Sequence, residues 1–419
     1  MISLQDRVVE IGSTAGTSPS GSTLAKMSRA KALPRAPVFD WPAQGTQGQP
    51  RLPCVGDLPA KLFLTSGRAA LAAALDQIDT KPGDAVLVPS YHCPTMVAPV
   101  LLHGLQPVLY AIGPDGLPRL HDLEVVGLSR VRVMFAAHFF GLTRSLRAVR
   151  AWCDARGIAL VEDCAHSFFG MAGEQPVGTW GHLATASLTK FFPVREGGLL
   201  ARAEGRLKPV ALRKPGWKRP VQSLADVLEF ASQHQRPGGV APLLQLLFAA
   251  KRRRRVSALR ATSSDHSASP SDAAQMLQAC DMGRVGELPA GPVEWIVRHQ
   301  DLASIVRRRQ ANFDGLQEGL AGLDGAGPLF RERPMASAPY VMPLWVDDSG
   351  RADRLYVALR QHGLPVLRWD RLWPGLKKPA NDSGCSWSHQ VLQLLCHQDL
   401  QRKDVARIVD TTRECLRLA

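Results

Sequence analysis

The chain has 419 residues, of which 45% are hydrophobic and 21% charged, enough for two domains of ordinary soluble composition. No run of 18 apolar residues occurs and the start, MISLQDRVVEIGSTAG, lacks an apolar core, which argues against an integral membrane segment and a secretory signal. The formal net charge of +14 suits an anionic partner, but no recognition helix, zinc finger or interleaved aromatic pattern points to nucleic acid.

The chain divides by pattern. Residues 1–32 are rich in Gly, Ser, Thr, Ala and Lys and read as a flexible extension. From about residue 60, short apolar strands alternate with helices. Arg68–Leu75 reads as a helix, 85–90 as a strand and TMVAPVLLHG as a helix. Residues 107–112 read as a strand, 132–141 as an apolar run, 145–157 as a helix and 158–165 as a strand. This alternation predicts βαβ units on a mostly parallel sheet, whose strands are apolar throughout because both faces are buried. Residues 203–260 are basic and helical in pattern, and 262–274 read as a mobile polar loop. A long helix is predicted around 296–322. After it come a strand at 340–347, a helix near RADRLYVALRQHG, a strand at 364–369 and a final helix, QRKDVARIVDTTRECLRL. The expected division is a large α/β domain over 33–290, divergent over 203–290, and a smaller C-terminal α/β domain over 291–419.

Eight cysteines are scattered without a CxxC pair, so neither a disulfide framework nor a metal site is expected, and the compartment reads as reducing cytoplasm. The run Lys251-Arg252-Arg253-Arg254-Arg255 reads as a solvated helix end or loop, or as a patch for a sugar diphosphate or a membrane surface.

Four islands carry the chemistry. Thr65-Ser66-Gly67-Arg68 opens a helix. Its free N–H groups and positive helix end make a phosphate cradle to which Arg68 adds a cation, though Ser66 equally reads as an ordinary N-cap. Glu162-Asp163-Cys164-Ala165-His166 ends an apolar strand, the edge at which parallel sheets place ligand groups. A carboxylate there needs a partner, such as a protonated ring nitrogen, or it caps the next loop. His166 also reads as a satisfied core histidine. Lys190, in ATASLTKFF, lies among apolar residues. Burial would lower its pKa and make it a nucleophile fit for Schiff-base chemistry, unless it snorkels to the surface. Thr185 and Ser187 offer hydroxyls for phosphate. Arg195-Glu196-Gly197-Gly198 precedes a strand and marks a close backbone approach or a plain turn.

In this order and spacing the islands resemble the DegT/DnrJ/EryC1/StrS family of sugar aminotransferases, of the aspartate-aminotransferase fold type. The resemblance is specific from about 60 to 200 and weak through RRRQANFDGL (307–316) to the end. It implies fold type I and pyridoxal 5'-phosphate as cofactor. Ser66, Gly67, Arg68 and Thr185 then bind the phosphate, Asp163 the pyridine nitrogen, and Lys190 the cofactor aldehyde. His166 falls where a glutamine lies near the cofactor hydroxyl. The aromatic that stacks on the ring falls at Cys93, so Tyr91 or His92 stacks instead or Cys93 contacts the ring. The family's asparagine that reaches the neighbouring subunit is not recognisable.

The resemblance further implies a cytoplasmic homodimer. It would move an amino group from glutamate or glutamine to a keto sugar, usually nucleotide-linked, for surface polysaccharide or secondary-metabolite biosynthesis. Family members that dehydrate sugars carry histidine in place of the lysine, so Lys190 favours transamination. The rival readings are a transaminase of a non-sugar ketone or cyclitol, and a non-catalytic regulatory or assembly protein on the same fold.

Overall fold

The computed structural model describes residues 32–41, 51–123, 127–249 and 272–419. The expected N-terminal extension, apart from Ala32, and the basic run 251–255 lie outside the described residues. So does most of the predicted loop 262–274. Its end is ordered, because Asp272 caps a helix by accepting from Gln275 N at 2.8 Å.

A seven-stranded sheet forms the centre. Its strands are β1 (Ala60–Leu64), β2 (Ala85–Pro89), β3 (Gln106–Tyr110), β4 (Val131–Ala137), β5 (Ala159–Asp163), β6 (Leu183–Ser187) and β7 (Gly198–Arg202). Their order is β1-β7-β6-β5-β4-β2-β3, and only β7 runs against the rest. Alternate residues enter two separate apolar clusters. Leu87, Met134 and Leu160 belong to one, while Val86, Val88, Val133, Phe135 and Val161 belong to the other. Two-sided burial is therefore why these strands lack a polar stripe. The crossover helices are α1 (Gly67–Asp76), α2 (Pro94–Leu102) and α3 (Arg147–Asp154). Helix α1 is buried from Ala69 to Leu75, and its alanines combine high helix propensity with a slim side chain, which lets the helix lie close to the sheet.

The middle of the chain is irregular over 203–218 and then helical, with α4 (Arg219–Gln233) and a helix over 241–249, followed by α5 (Ala273–Ala279) and α6 (Gly291–Arg298). The single long helix predicted over 296–322 is two, α6 and α7 (Leu302–Gly319). The break falls at Asp301, whose carboxylate accepts from Ser304 N at 2.9 Å and starts a new helix. Helix α6 packs on α4, so the first helix assigned to the C-terminal part leans on the large one.

The C-terminal part is an antiparallel sheet, β8 (Ala326–Pro328), β9 (Val341–Val346), β10 (Val366–Leu367) and β11 (Val391–Leu395), ordered β8-β9-β11-β10. It is packed by α7, α8 (Ser349–Gln361) and α10 (Arg402–Leu418). Between β10 and β11 lies α9 (Ser383–Gln390). The predicted strand 364–369 is only two residues long, because Trp369 leaves the ladder to meet His166 and Tyr91. Strand β11 was not anticipated. Among the described residues, no helix is long and apolar enough to cross a membrane.

Candidate active site

The islands meet at one edge of the large sheet, where β4, β5 and β6 end and β7 begins. The ladder sets Asp163 beside Ala137 and Thr185, and Ser187 beside Gly198, which also pairs with Leu64. Topology alone thus brings residues 64–68, 163, 185–190 and 198 together.

The Ser66 turn is built by close approach. Gly197 N donates to Thr65 O at 2.8 Å. A Cβ on Gly198 would fall on the Ser66 carbonyl oxygen, and one on Gly67 would lie 3.3 Å from Ser187 Cβ. Two of the paired glycines are thereby explained as backbone contacts. Ser66 Oγ accepts from Ala69 N at 3.2 Å, so its hydroxyl acts as the N-cap. No hydrogen bond occupies the N–H groups of Gly67 and Arg68 among the described residues, and they remain at the positive helix end. The Arg68 guanidinium donates to the carbonyl of Cys280 and, at 3.3 Å, to Ser66 Oγ.

Asp163 Oδ1 accepts from Ala165 N at 2.9 Å and from Thr185 Oγ1 at 3.4 Å. Burial raises the Asp163 carboxyl, and the nearby Lys190 charge opposes that rise. Thr185 was expected at the phosphate, but its hydroxyl turns to Asp163, its ladder neighbour. The hydroxyl that meets the Gly67 turn belongs to Ser187, two residues further along the same face.

Lys190 follows β6 in a short 3-10 turn. Its Nζ lies 5.2 Å from the centre of the Tyr340 ring, a cation–π distance. Burial lowers the amine, while Cys93 and Asp163 act in the opposite sense. Cys93 thus lies within electrostatic reach of the amine. Its thiol also lies 3.0 Å from Thr95 Oγ1.

Tyr91 and His92 do not open toward the amine. Tyr91 is fully buried among Phe139, Phe140, Trp369 and Trp387, and its hydroxyl accepts from Gln393 Nε2 at 2.9 Å. Its ring faces are spent on packing, which removes it as the stacking residue. His92 Nδ1 lies 2.9 Å from Pro89 O, its Nε2 accepts from Trp373 N at 3.2 Å, and burial lowers it to about 4. It is a neutral clamp on the 373 loop.

His166 sits between two rings, Tyr340 at 4.6 Å and Trp369 at 4.7 Å. Its Nδ1 accepts from Phe140 N at 3.3 Å, and burial holds it well below the usual histidine range. Phe140 itself adopts φ 63°, a left-handed conformation costly for a non-glycine residue. Tyr340 N donates to Phe140 O at 2.9 Å, and so this strained residue fixes both rings.

Two groups to which the sequence assigned no role support the site. Glu196, nearly buried, accepts from Arg219, from Arg284 Nη1 at 2.7 Å and from Ala290 N at 2.8 Å. Arg284 in turn offers its carbonyl to Thr65 Oγ1 at 2.8 Å. The divergent middle stretch is thereby pinned over the Ser66 turn. The signal was available as a glutamate before paired glycines. The second group is His138, Glu162 and Cys164, whose ligand-type atoms lie within 4.8 Å of one another. Glu162 already accepts from His138 Nε2 and from the N–H groups of Gly178, Trp180 and Gly181 at 2.7–3.0 Å. The cluster therefore orders the 178–181 loop.

Residues 60–226 match the DegT/DnrJ/EryC1/StrS aminotransferase family. The dTDP-4-dehydro-2,3,6-trideoxy-D-glucose 4-aminotransferase of Saccharopolyspora spinosa is 29% identical over 155 residues, covering 36% of this chain and 40% of that enzyme. GDP-perosamine synthase of Vibrio cholerae is 27% identical over 140 residues, 33% of this chain and 38% of that enzyme. The alignments thus span well under half of each relative. The solved structure of DesV from S. venezuelae superposes with a TM-score of 0.58 at 19% identity, covering 86% of each chain. The Helicobacter pylori aminotransferase PseC gives 0.58 at 12% identity over 86% of this chain and 88% of that one. At such identities the solved structures speak for the fold, which this chain shares with them over 86% of its length. The match over 60–226, under half of the chain, contains the Ser66 turn, Asp163 and Lys190, and over that stretch the chain is similar to the DegT/DnrJ/EryC1/StrS aminotransferase family.

Proposed function

We propose that the chain is a pyridoxal-phosphate-dependent aminotransferase that moves an amino group from glutamate or glutamine to a nucleotide-linked keto sugar. The observation that carries the reading is a partly buried lysine, Lys190, whose amine is lowered by desolvation and lies within electrostatic reach of a buried acid, Asp163, at the sheet edge that also holds the Gly67 turn.

The residues fit the cofactor. The Gly67 turn has room that a Cβ would take from Ser187, and the N–H groups of Gly67 and Arg68 with the Ser187 hydroxyl would hold a phosphate. Asp163 would hold the ring nitrogen, and its raised carboxyl is relieved once a protonated nitrogen stands beside it. When bound, pyridoxal phosphate supplies an aldehyde carbon and a ring that accepts electrons from an adjacent carbanion. Lys190 Nζ is the group that would hold the cofactor's aldehyde end and would carry a proton once free. Its lowered basicity leaves a larger share of the amine neutral near pH 7 than an ordinary lysine has. The Tyr340 ring centre lies 5.2 Å from that amine, and the Asp163 charge lies within electrostatic reach of it.

The names of the relatives support a nucleotide-linked acceptor, since they include enzymes acting on dTDP- and UDP-linked sugars. The surplus of positive charge suits a diphosphate. A cytoplasmic homodimer is part of the same reading. Incubation of the purified protein and cofactor with ¹⁵N-labelled glutamate or glutamine and a panel of dTDP-, GDP- and UDP-linked keto sugars tests it. Mass spectrometry should show label on a sugar. Label appearing only on non-sugar ketones, or on nothing, would overturn the acceptor assignment.

A further inference from the structure

Arg309 is fully buried, yet among the described residues no carboxylate accepts a hydrogen bond from it. Its three nitrogens donate to three separate places: Nε to Gln398 Oε1 at 2.9 Å, Nη1 to Pro339 O at 3.1 Å and Nη2 to Lys190 O at 2.6 Å. The guanidinium also lies 4.4 Å from the centre of the Phe191 ring. Gln398 extends the grip by donating from Nε2 to Phe191 O at 2.9 Å.

A buried cation satisfied only by neutral acceptors is costly, and an apolar residue of like volume would fill the site without that cost. Desolvation lowers this arginine to about 10. What the charge obtains in return is geometry. It grips the backbone of Lys190 and, through Pro339, the residue just before Tyr340, whose ring faces the Lys190 amine at 5.2 Å. Arginine's planar fork can reach three acceptors at fixed angles, whereas a lysine ammonium on a flexible stem cannot hold all three.

We propose that Arg309, with Gln398 as its second arm, is a positioning residue that sets the Lys190 amine against the Tyr340 ring. The inference rests on Lys190 being the reactive amine. Through it the small sheet and α7 fix the key group of the large sheet.

The test measures the pH dependence of Lys190 acetylation by acetic anhydride, read by peptide mass spectrometry, on wild type and the variants Arg309→Lys, Arg309→Met and Gln398→Ala. Circular dichroism reports folding. A parallel arm adds pyridoxal phosphate and borohydride and counts label at Lys190. In wild type, Lys190 should titrate below the surface lysines and take up the cofactor label. In folded Arg309→Lys and Gln398→Ala the midpoint should move up toward the surface lysines, and cofactor labelling should fall at least threefold. Should Arg309→Met not fold, those two variants carry the test. An unchanged midpoint and full labelling in a folded variant would overturn the role of Arg309. Absence of label in wild type would instead overturn the reading of Lys190 itself.

Discussion

Glu162 and Asp163 are neighbours on β5, yet their carboxyls are shifted in opposite directions: Glu162 is held below the usual carboxylate range and Asp163 above it. Strand alternation sends them to opposite faces. Both are penalised by burial. On its face, Glu162 meets His138 and three backbone N–H groups, whose donation outweighs desolvation. On the other, Asp163 has two hydrogen bonds and the charge of Lys190, which do not.

The two carboxyls should therefore respond oppositely to neutralisation. Glu162→Gln places an amide against donors and should destabilise the fold by about 3–5 kcal/mol. Asp163→Asn should stabilise the cofactor-free protein at pH 7. Glu162 is lowered, so its contribution is complete above the ordinary glutamate value and is lost as pH falls through the folded value, below about pH 4. Asp163 is raised, so its cost grows as pH rises through its folded value, above about pH 4. Denaturant melts between pH 3.5 and 8 check this; a stabilised Glu162→Gln would contradict it.

The same Asp163→Asn change should harm turnover. Loss of the acid that holds the ring nitrogen should slow amino transfer roughly 100-fold or more, the order seen when a placed proton is lost. Lys190→Ala should abolish it. Single-turnover kinetics of each half reaction report both effects.

Gly198→Ala should disable the phosphate turn, because its Cβ would collide with the Ser66 carbonyl oxygen. We expect pyridoxal phosphate affinity to fall at least about tenfold, which is roughly 1.4 kcal/mol. Gly216→Ala, where a Cβ meets nothing within 4 Å, is the matched control. Fluorescence titration with the cofactor separates them.

Glu196→Gln should loosen the middle stretch from the turn. It removes the charge that binds Arg219 and Arg284, a loss of about 1.5–3 kcal/mol for a hydrogen bond to a charged group. Glu196 is lowered by these partners, so its contribution is complete above the ordinary glutamate value and fades as pH falls through its folded value. Hydrogen exchange at the Ala290 amide, which donates to Glu196, should accelerate in the variant at pH 7.

Much of this was legible in the sequence, for physical reasons. Ser66, Asp163 and Lys190 follow strand ends, and a parallel sheet collects its strand ends at one edge, so order along the chain became proximity in space. Individual hydroxyls were not legible: the choice between Thr185 and Ser187 depends on how far β6 runs before it meets Gly67. Tyr91 resembled an exposed stacking ring because nothing local reveals that Phe139, Phe140, Trp369 and Trp387 converge on it from distant parts of the chain. Strand β11 was hidden because it follows α9 directly after Gln390, with no turn residue to mark its start, although it lies inside the small sheet. Arg309 was hidden in a run of three arginines that looks solvated. Its signal was periodic: Ile305, Arg309, Asn312 and Leu316 follow the buried stripe of α7.

The most direct measurement is covalent. The purified protein is mixed with pyridoxal phosphate, reduced with borohydride, digested and mapped by mass spectrometry. The account predicts one modified site, at Lys190, with labelling lost in Lys190→Ala. Modification spread over surface lysines, with Lys190 unlabelled, would contradict it.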